Sequence, residues 1–266
     1  MSRTLSLALL TLGSITPTVL NAFPTIPGPG NCEPLPDRMV VLGDSIVDCY
    51  GVGGGNDPRC SPYQLHGWLD ETWAPGVTYE NLSVSGATTG DVVTRQLRTV
   101  PTGEGHVVVV IFVGGNDLYP YLYLPEDVAV AAWPGLEEEL TADWQEIFAF
   151  FKDTRNFPDG ATIIINQQYN PFDDCYGTSQ GKIDVLHAYN TMLQDLAASH
   201  DSWAADPYTP FLGHGHNYKR RNCPYYEPGA DYWMGDIIHP NELGHEQLAF
   251  VWEDLLDPLY GACLSM

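Results

Sequence analysis

Three side chains far apart in the sequence have the types and spacing that acyl transfer requires. Ser45 follows Gly43 and Asp44 at the end of the apolar run Met39, Val40, Val41, Leu42, while Asp236 precedes His239 by three residues just ahead of Pro240. A serine hydroxyl is a weak nucleophile; it needs a base within hydrogen-bond reach, and that base needs a third group to orient it. The spacing from Asp236 to His239 lets the carboxylate fold back on the imidazole Nδ1 and leaves Nε2 facing a serine. Taken alone, Gly43-Asp44-Ser45 also reads as a plain turn, and Asp236 with His239 as a helix-start carboxylate and an N-cap substitute.

Acyl transfer also needs donors aimed at the oxygen that gains charge. Two stretches that follow strand-like runs qualify: Ser85, Gly86, Ala87, Thr88 and Gly114, Gly115, Asn116, Asp117. A glycine lets a backbone N–H approach a ligand, and the Asn116 amide is a neutral donor. Each stretch has an ordinary reading as turn chemistry.

These groups meet only if the intervening chain brings strand ends to one edge. Residues 39–43 read as a buried strand that delivers Ser45 to an open edge, where α/β folds place chemistry. A second strand is expected at Val77 to Val84. The continuous apolar run from Val107 to Val113 indicates a strand buried on both faces, hence a parallel sheet covered by helices. A further strand is expected at Ala161 to Asn166. Helices are expected behind Ser61 as N-cap, with Pro62 in the first turn and Gln64 as capping-box partner, and over Thr89 to Leu97. Others follow through Leu140, Trp144, Ile147, Phe148 and Phe151, through Val185, Tyr189, Met192, Leu193 and Leu196, and, with Pro240 at its first turn, through Leu248, Val251, Trp252, Leu255 and Leu256. Strand alternating with helix gives a doubly wound α/β sandwich with a mostly parallel central sheet.

At 266 residues and 44% hydrophobic, the chain supports one core. Residues 1–22, with Arg3, a short apolar centre from Leu5 to Leu12 and a small residue at Ala22, have the pattern of a secretory signal peptide, too short to span a bilayer. Residues 23–38 form an irregular Pro- and Gly-rich lead-in. A net charge of −23 excludes nucleic acid and anionic lipid surfaces as partners. No EF-hand pattern accompanies the acidic residues. Six cysteines behind an export signal imply three disulfides in a secreted or periplasmic protein. The expected pairs are Cys49 with Cys60, Cys175 with Cys223 and Cys32 with Cys263.

Gly43-Asp44-Ser45-Ile46, Gly86, Gly114-Gly115-Asn116-Asp117 and Asp236-Ile237-Ile238-His239-Pro240 resemble, in order, the four blocks of the SGNH or GDSL hydrolase family. The resemblance implies a flavodoxin-like, three-layer α/β/α sandwich over residues 39–266 and hydrolysis of carboxylic esters or thioesters. Carried over position by position, it makes Ser45 the nucleophile, His239 the general base and acid, and Asp236 its partner. Ser45 N–H, Gly86 N–H and the Asn116 amide would form the oxyanion hole. The expected substrate is a small-molecule or lipid ester, and the protein is expected to be a monomer that needs no cofactor or metal. Polysaccharide O-deacetylation on the same site, or a silent extracellular binding protein, are the alternatives. The loops at 49–60 and 205–235 lie outside the shared blocks.

Other features compete. Gly177, Thr178, Ser179, Gln180, Gly181 satisfies the G-x-S-x-G elbow, but the stretch from Asn170 to Cys175, with Pro171, separates it from the preceding strand, so Ser179 reads as a loop residue entering a helix. His214 and His216 have no evident third partner for a metal. Tyr119, Tyr121 and Tyr123, with Tyr225, Tyr226, Tyr232 and Trp233, read as packing or as an apolar wall for an acyl or aryl group. Asn81, Leu82, Ser83 is a glycosylation sequon inside an expected strand.

Overall fold

A computed structural model describes residues 33–264, the side chains of residues 263 and 264 aside. The signal-peptide stretch, most of the lead-in and the Cys32–Cys263 bridge lie outside the described residues. The elements are β1 (Arg38–Gly43), α1 (Ser61–Thr72), β2 (Thr78–Asn81), α2 (Thr89–Asp91), β3 (Val107–Phe112), α3 (Gly115–Leu118), α4 (Glu126–Lys152), β4 (Ala161–Asn166), α5 (Gln180–Ser199), β5 (Trp203–Ala205), α6 (Tyr208–Phe211) and α7 (Glu242–Leu264).

The five strands form one sheet in the order β2-β1-β3-β4-β5, every pair parallel. The strand alternation explains why the sheet is covered on both sides. Val40, Leu42, Val109, Ile111, Ile163 and Ile165 face α4 and α5 through Leu140, Trp144, Phe148 and Leu193. Met39, Val41, Val108, Val110, Phe112 and Ile164 face α1 and α7 through Leu65, Leu69, Leu248 and Trp252. Full burial of each such side chain contributes about 1.5–3 kcal/mol, so the two apolar layers set the sandwich. This is the expected α/β/α architecture, with a fully parallel sheet. Its chain order reverses between β1 and β3, and there the C-terminal strand ends open a crevice.

Local elements depart from expectation where side chains override propensity. β2 stops at Asn81 rather than Val84, because Asn81 turns the chain: its Oδ1 accepts the Ser83 N–H at 3.1 Å and its Nδ2 donates to Val47 O at 2.7 Å. In α1 the flanking residue is Cys60, without a side-chain cap; Ser61 Oγ meets His245 Nδ1 at 3.1 Å and Gln64 Nε2 donates to Arg59 O, so the expected capping box does not form. Pro240 is not in the first turn of α7. It bridges Met234, and Asn241 caps the helix by accepting the Gly244 N–H at 3.0 Å. The helix expected over Thr89 to Leu97 is α2 continued by a π turn at Val92–Gln96 and a 3-10 turn at Leu97–Thr99.

Candidate active site

Gly43 ends β1 with φ near +140°, and a Cβ there would stand 2.0 Å from Phe112 O. Only glycine permits this close approach of β1 to β3. The chain then turns sharply, and Asp44 Oδ1 accepts the Ile46 N–H at 2.9 Å across Ser45. Gln96, carried by the π turn, grips Gly43 from the other side: Oε1 accepts the Gly43 N–H at 2.9 Å and Nε2 donates to Gly43 O at 2.8 Å. Ser45 is thereby displayed at the end of β1.

The segment before α7 brings the other groups to it. His239 Nε2 lies 2.9 Å from Ser45 Oγ, and His239 Nδ1 lies 2.8 Å from Asp236 Oδ2. Asp236 Oδ1 accepts the N–H groups of Ile238 and His239 at 2.9 and 2.8 Å, which fixes the carboxylate that fixes the ring. Burial pushes the Asp236 carboxyl up, but the two N–H groups and the His239 side chain outweigh it and hold it below the usual carboxylate range. The Tyr50 ring packs on the imidazole at 4.7 Å, from the loop closed by the Cys49–Cys60 disulfide. A serine hydroxyl in line with an imidazole and a carboxylate can be deprotonated as it attacks a carbonyl carbon.

Of the expected oxyanion donors, Asn116 lines the same cleft as Ser45, its Nδ2 donating to Ala87 O at 3.0 Å and keeping a second N–H free. Gly86, with φ near +86°, lines a neighbouring hollow with Ser85, Ala87 and Gln96, and it joins the site through that Ala87 contact. Among the described residues, neither Ser45 N–H nor Gly86 N–H donates to another protein group.

The cleft encloses about 120 Å³ and runs from Ser45 and Asn116 between Leu118, Tyr121, Leu122, Val185 and Leu186. On the far side of the imidazole an open groove is lined by Tyr50, Asp236, His239 and Asn241. Tyr119 and Tyr121 thus border the cleft, whereas Trp233 is buried in the sheet's other layer. Asp44, at the cleft floor, is fully buried, and burial with the nearby Asp117 charge pushes its carboxyl up to about 7. Asp117 is itself pushed up to about 6 by burial, against hydrogen bonds from Thr89.

The remaining candidates serve structure. Ser179 flanks the start of α5 with a buried hydroxyl that has no hydrogen-bond partner, well beyond the end of β4. His214 stacks on Trp233 at 3.5 Å, and His216 lies between Ile237 O and Tyr232 Oη at 3.0 Å each. No group of three or more His, Cys, Asp or Glu among the described residues is placed to hold a metal. Cys175 is bonded to Cys223, as expected. Next to it Asp173, with φ near +54°, accepts the N–H groups of Gly213, Gly215 and Asn217, tying the loop at 205–235 to the cleft wall.

Residues 41–247 match the model of the GDSL-like lipase/acylhydrolase family, which covers every group placed above. The chain belongs to that family. Among relatives of this GDSL-like protein, Lipase 1 of Streptomyces coelicolor is 26% identical over 199 residues, 67% of this chain and 72% of that protein. The fold resembles a phospholipase A1 from Streptomyces albidoflavus (TM-score 0.57, 18% identity, 82% of this chain and 99% of that one). It also resembles an extracellular lipase from Streptomyces rimosus (TM-score 0.56, 21% identity, 85% and 99%) and an acetylxylan esterase from Geobacillus stearothermophilus (TM-score 0.55, 19% identity, 82% and 93%). The GDSL-like family, with its lipase and esterase members, makes this chain a carboxylic-ester hydrolase.

Gln96, Gln168 and Tyr50 escaped the sequence reading, which named Asp44 only as part of the block around Ser45. Gln168 follows β4, and a polar residue just past a buried strand at the functional edge was the one available signal.

Proposed function

We propose that this hydrolase is a secreted serine esterase of the lipase type, working through an acyl-enzyme on Ser45. The observation that carries this reading is the hydrogen-bonded line from Ser45 Oγ through the His239 ring to Asp236, 2.9 and 2.8 Å long, at the mouth of an apolar cleft. His239 Nε2 takes the hydroxyl proton as Ser45 Oγ attacks the ester carbonyl. Asp236 stabilises the imidazolium that forms. The oxyanion is held by Asn116 Nδ2 and by the N–H groups of Ser45 and Gly86. The imidazolium then protonates the leaving alcohol, and water repeats the sequence on the acyl-enzyme with His239 again as base.

On this reading each cleft takes one half of the ester. The leaving alcohol must lie beside His239, which protonates it, and so occupies the open groove by Tyr50 and Asn241. The acyl chain occupies the apolar cleft. A polysaccharide deacetylase would use the same chemistry but would leave that cleft empty. Export is supported by the pattern of residues 1–22 and by the Cys49–Cys60 and Cys175–Cys223 disulfides.

A fluorophosphonate probe tests the nucleophile, and a p-nitrophenyl ester series with acetylated sugars alongside tests the substrate. Labelling of the wild type but not of Ser45→Ala, with kcat/KM rising beyond acetyl, is expected. Labelling that survives in Ser45→Ala would overturn the assignment, and turnover confined to acetylated sugars would overturn the lipase type.

A further inference from the structure

The cleft floor beside Ser45 is not apolar. Asp44 and Gln168 are 2% and 7% exposed, both line the cleft, and each turns one oxygen toward it that accepts no hydrogen bond among the described residues. Asp44 spends Oδ1 on the Ile46 N–H, leaving Oδ2. Gln168 Nε2 donates to Val113 O at 2.9 Å, which fixes the amide with Oε1 directed the other way. Its backbone is locked as well, since its N–H donates to Asn190 Oδ1 at 2.7 Å and Asn190 Nδ2 donates to its carbonyl at 2.9 Å. The two free oxygens converge on Gly115. A methyl placed on its Cα would stand 3.2 Å from Gln168 Oε1 and 3.7 Å from Asp44 Oδ2.

Both oxygens are open to the cleft, so a substrate that fills it strips them of water, and two acceptors facing one notch then call for a donor from the ligand. Resting on the acyl-enzyme reading above, we infer that the notch at Gly115 is a subsite for a hydroxyl on the acyl part of the substrate, which makes the preferred substrates esters of 2- or 3-hydroxyalkanoic acids.

Position and chemistry both lead there. Gly115 precedes Asn116 and Asp44 precedes Ser45, so the notch adjoins the carbonyl carbon and its oxyanion and reaches the second or third carbon of the acyl chain. Farther along, Leu118, Leu122, Val185 and Leu186 face the rest of the chain with apolar surface. A hydroxyl suits the pair whichever form Asp44 takes. It donates to Gln168 Oε1 and, when Asp44 is neutral, accepts from Asp44 Oδ2–H; when Asp44 is ionised, both oxygens compete for its proton. A plain alkyl ester strands both oxygens. The competing arrangement is an internal bond from a neutral Asp44 to Gln168 Oε1, which needs no substrate hydroxyl.

The test compares initial rates of acid release from ethyl hexanoate, its 2-hydroxy and 3-hydroxy analogues, and ethyl 6-hydroxyhexanoate as a positional control. Sites built to bond a hydroxyl reject analogues that lack it, so wild-type kcat/KM should favour the 2- or 3-hydroxy ester by about tenfold or more. The terminal hydroxyl should bring no gain. Gly115→Ala fills the notch while keeping both oxygens chemically intact, Gln168 Oε1 having to give by only a few tenths of an ångström, and Asp44→Asn places a donor opposite Gln168 Oε1 that closes the pair internally. In both variants the ratio of hydroxy to plain ester should collapse toward one, whatever the absolute rates. A merely structural role would lower the rates together and leave the ratio standing, which would overturn the subsite. Equal wild-type kcat/KM for plain and hydroxy esters would overturn the subsite and leave the esterase reading intact. Hydrolysis of none of them, nor of the p-nitrophenyl esters, would remove the esterase reading and the subsite with it.

Discussion

Gln96 and Gly43, 53 residues apart, exchange two hydrogen bonds: the Gly43 N–H donates to Gln96 Oε1 and Gln96 Nε2 donates to Gly43 O. The clamp is buried, and it holds the residue from which the chain turns to present Ser45. A π turn carries Gln96 there, and such turns recur at functional sites because the inserted residue re-aims a side chain.

Gln96→Leu should therefore act on catalysis as well as on stability. It leaves the Gly43 N–H buried without a partner, while the Gly43 carbonyl keeps the Val84 N–H at 3.0 Å, a loss of roughly 1–3 kcal/mol. Displacement of Ser45 by even part of an ångström should lower kcat by about 10- to 100-fold. Thermal melts and single-turnover rates on the same preparation separate the two effects. An unaltered kcat in a destabilised variant would reduce Gln96 to a structural clamp.

Two serines have been given different tasks, and substitution distinguishes them. Ser45→Ala should remove essentially all hydrolysis, while Ser179→Ala should retain most of it, because Ser179 flanks α5 and has no base beside it in the hydrogen-bond network. Asp236→Asn should keep the fold and lose activity by about 10⁴-fold, since an amide beside Nδ1 favours the wrong tautomer. Rates on a p-nitrophenyl ester decide all three, and an indispensable Ser179 would undo the assignment.

Asn116 spends one N–H on Ala87 O, and in the proposed mechanism the other reaches the oxyanion. Its contribution should appear in the transition state, so Asn116→Ala should lower kcat by about 10²- to 10³-fold with little change in KM. A rise in KM at constant kcat would mean that the amide binds the ground state instead.

The parts of this site that were legible in the sequence are local ones. Asp236 and His239 sit three residues apart, and Ser45 and Asn116 directly follow apolar runs that could only be buried strands. The sheet was legible because strands buried on both faces read as unbroken runs such as Val107 to Val113. Cys49 with Cys60 was legible from the loop it closes. What stayed hidden depends on contacts between distant side chains. Gln96 meets Gly43, Gln168 meets Val113 O, and Ser61 meets His245 across α1 and α7, with no periodicity to announce them. The misplaced starts of α1 and α7 and the early end of β2 have the same origin, since Cys60, Asn241 and Asn81 are set by tertiary partners that outweigh cap preference.

The pH dependence of stability should carry two opposing contributions from buried groups. His245 is buried against Ser61 and the Cys49–Cys60 bridge, its Nε2 has no partner, and burial, with the nearby His239 adding, pushes it down from 6.5 to about 4. Its neutral form suits the fold, so its contribution is fully present above about 6.5 and is lost as pH falls toward 4, by on the order of 3 kcal/mol. Asp44 runs the other way. With its carboxyl pushed up from 3.8 to about 7, the folded state holds a proton that the unfolded chain releases, so its contribution is present below about 4 and is lost as pH rises through 7, also on the order of 3 kcal/mol. Urea unfolding from pH 4 to 8 of the wild type, His245→Leu and Asp44→Asn separates them. The difference between wild type and His245→Leu should shrink as the solution is acidified below 6.5, and the difference between wild type and Asp44→Asn should grow over the same range. Two flat differences would mean that water reaches both groups and that neither is held in its neutral form by burial.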